Sequence, residues 1–266
     1  MRALPNPLLL HDLRVLGSGP STVVLSHGFG CNQQVWRPIA DALASSFRVV
    51  LFDLMGCNPR SAAVFNAATH RHLDAFAMDL IALLEHAETG PVTYVGHSMS
   101  GMIGLLASIR RPELFRKLIL VAPSPCYMNI GSYKGGFEKS DLEHIFDAAR
   151  ENYAAWATRF APIAVGRTPS AAFTGEFTKG LLAMKPDIAL SLLITVFTSD
   201  VRDQLPLATT PTVVIQSTRD PAVPMSVAEF VRAEIPVCTL ELAEAEGHLP
   251  HLTNPELILG ILRRHL

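Results

Sequence analysis

Charge is scarce in this chain. Only 17% of its residues are Asp, Glu, Lys or Arg, against 49% that are hydrophobic. That balance excludes an intrinsically disordered chain, because ample apolar surface is available for a core. A formal net charge of −2 provides no basic field, so neither nucleic acid nor an anionic membrane is expected as a partner. The pairs Arg110-Arg111 and Arg263-Arg264 read as solvated surface charge. Cysteine is equally sparse: Cys31, Cys57, Cys126 and Cys238 are scattered and form no C-x-x-C pair. That excludes a disulfide framework and predicts reduced thiols in a cytoplasmic setting. Long uncharged apolar runs are missing, so no bilayer-spanning segment is expected. The opening MRALPNPLLLHDLRVLG lacks the apolar core and small-residue cleavage site of a secretory signal. Together these features predict a soluble, intracellular protein.

Cofactor motifs are also lacking. Gly135-Gly136 is a turn, and no G-x-x-x-x-G-K-[ST] or G-x-G-x-x-G follows a strand. His248-x-x-His251 and His70-x-His72 are not joined by an H-E-x-x-H or a Cys/His cluster. We therefore expect no metal and no organic cofactor.

What the chain does contain is a series of short β-branched runs: Thr22–Ser26, Arg48–Asp53, Val92–Val95, Leu118–Ala122 and Thr212–Gln216, with a weaker one at Cys238–Leu242. Continuous apolar runs suit strands covered on both faces, as in a parallel sheet. Helical patterns lie between or after them at Val35–Ala44, Leu73–Ala87, Met99–Arg110, Val227–Ala233 and Pro255–Leu266. Such alternation predicts βαβ units and an α/β fold. From Pro123 to Leu207 it stops, and helical segments take over at Asp141–Arg150, Asn152–Phe160, Ala172–Met184 and Ile188–Phe197. The expected organisation is a core of residues 1–122 and 208–266 with an aromatic-rich helical lid, 123–207, inserted over the sheet edge where α/β ligands bind. A plain helical packing layer is the alternative.

Four motifs fall at strand ends. In Val95-Gly96-His97-Ser98-Met99-Ser100-Gly101 a strand runs straight into a helix. A sharp turn of this kind exposes a serine nucleophile, here Ser98, and small neighbours are needed around it. Gly96 meets that need on one side; on the other stands Ser100, where glycine is usual. His27-Gly28-Phe29-Gly30 follows the strand at Thr22–Ser26. The N–H groups of Phe29 and Met99 are the candidate oxyanion donors. Asp220 lies just past the strand at Thr212–Gln216, placed to orient a histidine, with Asp200 and Asp203 as rival acids. His248, after Gly247 and the last strand, is the candidate general base, and His251 is its nearest competitor. The order Ser98, Asp220, His248 is the one a serine hydrolase built on such a sheet requires. Asp53, at a strand end, is expected to be structural.

At these residues the chain resembles the group of α/β-hydrolases that contains the plant strigolactone and karrikin receptors (DWARF14 and KAI2) and the bacterial stress regulator RsbQ. The resemblance is carried by SHGFGCNQQVW, YVGHSMSGMIG, LASIRRPELF, Ser124-Pro125, YKGGFE, NYAAWATRFAPIAVG, TVFTSDVR and EGHLPHL. Serine at position 100 is common in this group, and GHSMSGM is nearest its DWARF14-like 2 paralogues. The resemblance implies an α/β-hydrolase fold with a mostly parallel sheet and a four-helix lid. It implies slow hydrolysis of a small hydrophobic butenolide or ester in a pocket lined by Phe29, Tyr127, Trp156, Phe160, Val196 and Phe197. It also implies a signalling partner, either an F-box protein with a repressor or a phosphatase, and a monomer in the cytoplasm, or also the nucleus of a plant. The stretch from residue 54 to 72 departs from the group's form. A metabolic carboxylesterase or lactonase, and a non-catalytic regulatory module, remain alternatives.

Overall fold

The structure is a computed structural model that describes residues 6–166 and 171–266. The first residues of the chain and residues 167–170 of the expected lid lie outside it. In chain order the elements are α1 (Pro7–Leu10), β1 (Arg14–Leu16), β2 (Thr22–Ser26), α2 (Arg37–Leu43), β3 (Arg48–Phe52), α3 (Pro59–Val64), α4 (Leu73–His86), β4 (Val92–His97), α5 (Met99–Arg110) and β5 (Phe115–Val121). There follow α6 (Lys139–Glu151), α7 (Tyr153–Val165), α8 (Ala171–Ala183), α9 (Pro186–Phe197), β6 (Thr212–Arg219), α10 (Met225–Glu234), β7 (Cys238–Glu246), α11 (Pro250–Thr253) and α12 (Pro255–His265).

The strands form one sheet in the order β1-β3-β2-β4-β5-β6-β7. All neighbours are parallel except β1, which runs antiparallel to β3. β2 is buried along its whole length, as are β4 and the last four residues of both β3 and β5. This is why those runs are apolar without alternation. Helix α4 turns a face of Leu73, Phe76, Ala77, Leu80, Ile81 and Leu84 inward, at the three- and four-residue spacing of one helical side. Helix α5 is buried from Met99 through Ser108 and packs against α4, β4 and β5. The sheet order reverses direction between β2 and β4, since β3 lies outside the first and β5 outside the second. A crevice opens beyond the carboxyl ends of the strands at such a switch point. The segments that follow β2 and β4 face it.

Between β5 and β6 the chain leaves the sheet and makes helices α6 to α9. Asn152, between α6 and α7, caps the second by accepting from Ala155 N at 3.0 Å. The unusual 54–72 stretch holds α3, which sequence periodicity does not reveal. Asn58 caps it by accepting from the N–H groups of Arg60 and Ser61, and Pro59 sits at its first turn. This stretch supports α9: Thr195 Oγ1 donates to the His70 carbonyl at 3.2 Å, and Nε2 of His70 pairs with Asp79 at 2.9 Å. Among the described residues no single helix is long and apolar enough to cross a membrane; α8 and α9 reach that composition only across a 108° bend.

Candidate active site

β4 delivers Ser98 to the sheet edge at the first position before α5. Its backbone has φ 55° and ψ −122°, a conformation that costs a residue with a side chain of order 1–3 kcal/mol. The turn is held because Ser98 N donates to Val121 O at 2.8 Å and Gly101 N donates to Ser98 O at 2.8 Å. Gly96 is needed for close approach: a Cβ there would stand 2.5 Å from the Ser100 carbonyl oxygen.

Three distant segments converge on Ser98. Its Oγ lies 2.9 Å from Nε2 of His248, and Nδ1 of that ring lies 2.8 Å from Oδ2 of Asp220. The Asp220 side chain is fully buried. Its Oδ1 accepts from the N–H groups of Ala222 at 2.8 Å and Val223 at 3.0 Å, and its Oδ2 also accepts from Gln216 Nε2 at 3.2 Å. A carboxylate so held keeps the Nδ1–H tautomer of His248, leaving Nε2 to take the serine proton. The base is fixed through its backbone too. Its N–H donates to Ala164 O of α7 at 2.7 Å, and its carbonyl accepts from His97 Nε2 at 2.8 Å. Gly247, with φ 97°, lets the chain press against α7; a Cβ there would meet Val165 O at 2.1 Å.

The loop after β2 packs against this turn. A Cβ on Gly28 would stand 2.5 Å from His97 Nδ1 and 3.2 Å from Ser98 Cβ, so only glycine permits the approach. The His27 ring is buried, and burial lowers its pKa, which keeps it neutral. Nε2 accepts from Leu54 N at 3.0 Å, so Nδ1 carries the proton and donates to Gly28 O at 2.9 Å. A trans peptide points its N–H opposite its carbonyl. With the Gly28 carbonyl turned to the His27 ring, the Phe29 N–H points away from that ring. The Ser98 carbonyl is likewise engaged by Gly101, which turns the Met99 N–H away from the helix interior.

The cavity at Ser98 is lined by Phe29, His97, Tyr127, Phe160, Ala164, Phe177, Val196, Phe197, Ala222, His248 and Leu249. Its volume is about 30 Å³. Tyr127 OH lies 3.2 Å from Ser98 Oγ, and burial pushes the phenol up to about 12, so it stays protonated. Its ring packs on Phe197 at 4.7 Å. Of the expected pocket residues, Phe29, Tyr127, Phe160, Val196 and Phe197 line the cavity. Trp156 does not: it lies behind Phe160, stacked at 4.9 Å with an 11° tilt, and holds that ring in place. Phe177, Ala164, Ala222 and Leu249 escaped the sequence reading, although Phe177 belongs to the aromatic set that marked the insertion and Leu249 adjoins His248.

The rivals fall elsewhere. Asp200 is paired with Arg202 at 2.6 Å, which holds its carboxyl below the usual range, and Asp203 is exposed. Asp53 accepts from Gln33 N at 2.8 Å and braces the loop. His251 is buried between the rings of His97 at 4.2 Å and Trp36 at 4.3 Å, and burial drives its pKa down to about 3. Among the described residues no three His, Cys, Asp or Glu side chains converge as a metal site would.

The model of a family described as the alpha/beta hydrolase family matches residues 23–260. A strigolactone esterase of Arabidopsis thaliana is 43% identical over 256 residues, 96% of each chain. A protein of Petunia hybrida named karrikin insensitive 2 receptor CA is 43% identical over 257 residues, covering 96% of this chain and 95% of its own. The solved structure of a hydrolase from Oleispira antarctica superposes with a TM-score of 0.95 at 32% identity, over 98% of this chain and 96% of that one.

Proposed function

Because this chain belongs to the alpha/beta hydrolase family, we propose that it is a serine hydrolase of small esters and lactones that also serves as receptor for a butenolide-type signal. The observation that carries the reading is the unbroken Ser98–His248–Asp220 hydrogen-bond series at the floor of a small, aromatic-lined cavity. The receptor part is supported by relatives of near-equal length named karrikin insensitive 2 receptor and strigolactone esterase.

Ser98 Oγ attacks the carbonyl carbon while His248 Nε2 takes its proton. The carbonyl π electrons move to oxygen, where the N–H groups of Phe29 and Met99 receive the negative charge. Asp220 stabilises the imidazolium and does not itself take the proton. The intermediate collapses, the ester C–O bond breaks, and His248 returns the proton to the leaving oxygen. Water, deprotonated by His248, then cleaves the acyl-enzyme and restores Ser98. The apolar walls exclude bulk water and favour a hydrophobic ligand.

A receptor hands its signal to another protein. In this reading a monomer working in the cytoplasm, or also in the nucleus of a plant, presents its helical insertion to an F-box protein and a repressor. In a bacterial setting the partner is a phosphatase. The resemblance of the insertion segments supports this assignment.

Intact-mass spectrometry after incubation with a synthetic strigolactone analogue tests the proposal. The expected result is a mass gain in the wild type that Ser98→Ala lacks, with a ligand-induced shift in Tm. Rapid turnover of p-nitrophenyl acetate with neither adduct nor Tm shift would leave a plain esterase.

A further inference from the structure

Ser100 stands where serine-hydrolase turns of this kind usually carry glycine, and it is wholly buried. Its hydroxyl makes two hydrogen bonds across the gap between α5 and the end of β2. It donates to the His27 carbonyl at 2.5 Å, and it lies 2.9 Å from Ser26 Oγ. A hydroxyl has one proton to give. That of Ser100 goes to the carbonyl, so the proton between the two serines belongs to Ser26. The direction is therefore fixed, from Ser26 to Ser100 to His27 O, and each bond polarises the next. The Ser100 backbone is held as well, since Tyr94 OH donates to its carbonyl at 2.9 Å.

We propose that Ser100 is a positioning residue for transition-state stabilisation, acting through the root of the loop that carries the Phe29 N–H. The inference rests on the hydrolase reading above. Fixing the His27 carbonyl sets the His27–Gly28 peptide plane. The His27 ring, anchored on Leu54 N, sets the next plane, to which the Phe29 N–H belongs. Ser100 thus links the helix that holds one oxyanion donor, at Met99, to the loop that holds the other. Glycine at position 100 offers no such link. Small apolar groups would fill the space of the two hydroxyls, but the buried His27 carbonyl would lose the donor that holds it. That loss acts on the distance between the two oxyanion donors, and small misplacements of catalytic groups cost large factors in rate.

The test uses full-length protein and p-nitrophenyl acetate, comparing the wild type with Ser98→Ala, Ser100→Ala and Ser26→Ala. A second readout is inhibition by phenylboronic acid, whose tetrahedral serine adduct draws on the oxyanion donors. Losing a donor outright costs on the order of 10²–10³ in kcat, so a displaced one should cost about 10-fold. Ser100→Ala should lower kcat by that factor with KM unchanged, and boronate inhibition should weaken in proportion. Ser26→Ala, which leaves the bond to His27 in place, should show a smaller loss of the same pattern. It carries the test if Ser100→Ala shows no cooperative melting transition. An unchanged kcat, a loss confined to KM, or a slower enzyme with undiminished boronate inhibition would overturn the proposal. If the wild type turns over ester, Ser98→Ala does not, and the Ser100 and Ser26 variants match the wild type, only the positioning role falls. A wild type as inert as Ser98→Ala would remove the hydrolase reading and this one with it.

Discussion

Nε2 of His248 lies 2.9 Å from Oγ of Ser98 across 150 positions of chain. The serine holds that place with a left-handed backbone, φ 55°. Ser98→Ala and Ser98→Gly should both lose ester hydrolysis, on the order of 10³-fold or more. Their stabilities should differ. Glycine relieves the strain of the turn at a smaller entropic cost, so Ser98→Gly should be more stable than Ser98→Ala by about 1 kcal/mol. Urea denaturation of the two inactive proteins measures the difference.

Asp220→Asn tests the orienting carboxylate. The amide oxygen can still accept from Ala222 and Val223 N–H, so the fold should persist. The amide nitrogen would donate to Nδ1 of His248 and force the proton onto Nε2, where it blocks attack. A loss of kcat on the order of 10²–10⁴ is expected, with little change in Tm. A variant within tenfold of wild-type kcat would show that Asp220 does not set the tautomer.

Acid should destabilise the protein through its buried histidines. Burial lowers the pKa of His27 and holds that of His97 well below its ordinary value, while that of His251 falls to about 3. Each of these side chains gains a proton near pH 6.5 when unfolded but stays neutral in the fold. The unfolded state therefore binds more protons, and stability falls as the pH drops below about 6.5. For His251 the fall continues towards pH 3, at up to about 1.4 kcal/mol per pH unit. Among the described residues neither of its ring nitrogens has a hydrogen-bond partner, so His251→Phe sacrifices no hydrogen bond seen there. Its stability-against-pH curve between pH 4 and 6 should be shallower than the wild type's by close to one proton. Chemical denaturation across that range gives the slope, and parallel curves would contradict the assignment.

Contact between the insertion and the loop after β2 predicts a coupling between them. A Cβ on Gly180 of α8 would stand 2.3 Å from the Gly30 carbonyl oxygen, next to Phe29. Gly180→Ala should gain helix propensity of about 1 kcal/mol and lose about 1–3 kcal/mol to overpacking. The net effect should be a modest drop in Tm with a clear drop in kcat/KM, since the displaced loop carries the proposed oxyanion donor, the Phe29 N–H. Half-buried Gly175 on the same helix has open space where a Cβ would stand. Gly175→Ala should therefore raise Tm slightly and leave turnover unchanged, which separates propensity from contact.

The parts of this molecule legible from sequence are those in which one local pattern carries the information. Buried strands show as apolar runs, and a nucleophile turn shows as a strand colliding with a helix around Gly96 and Ser98. Strand ends then place Asp220 and His248. Strand β1 is invisible because it has three residues and none is fully buried. β7 runs on to Glu246, past the weak segment that marked it, because its many half-exposed positions give a mixed pattern. Helix α3 escapes because its signal is capping by Asn58 and not periodicity. Trp156 cannot be told from a pocket residue by sequence, since stacking on Phe160 and facing a ligand demand the same aromatic character. Ser100 looks like a tolerated small residue until the His27 carbonyl is seen 2.5 Å away.

The backbone of His248 is shared between two bodies: its N–H ends on Ala164 of α7 and its carbonyl on His97 of β4. The helical insertion between β5 and β6 is consequently not a detachable module. A chimera that exchanged residues 123–207 for the cap of another hydrolase would strip the histidine amide of its acceptor unless the graft supplied a carbonyl at the position of residue 164. Deleting this insertion outright would leave the proposed general base tethered on one side only, so such a truncation should cost activity.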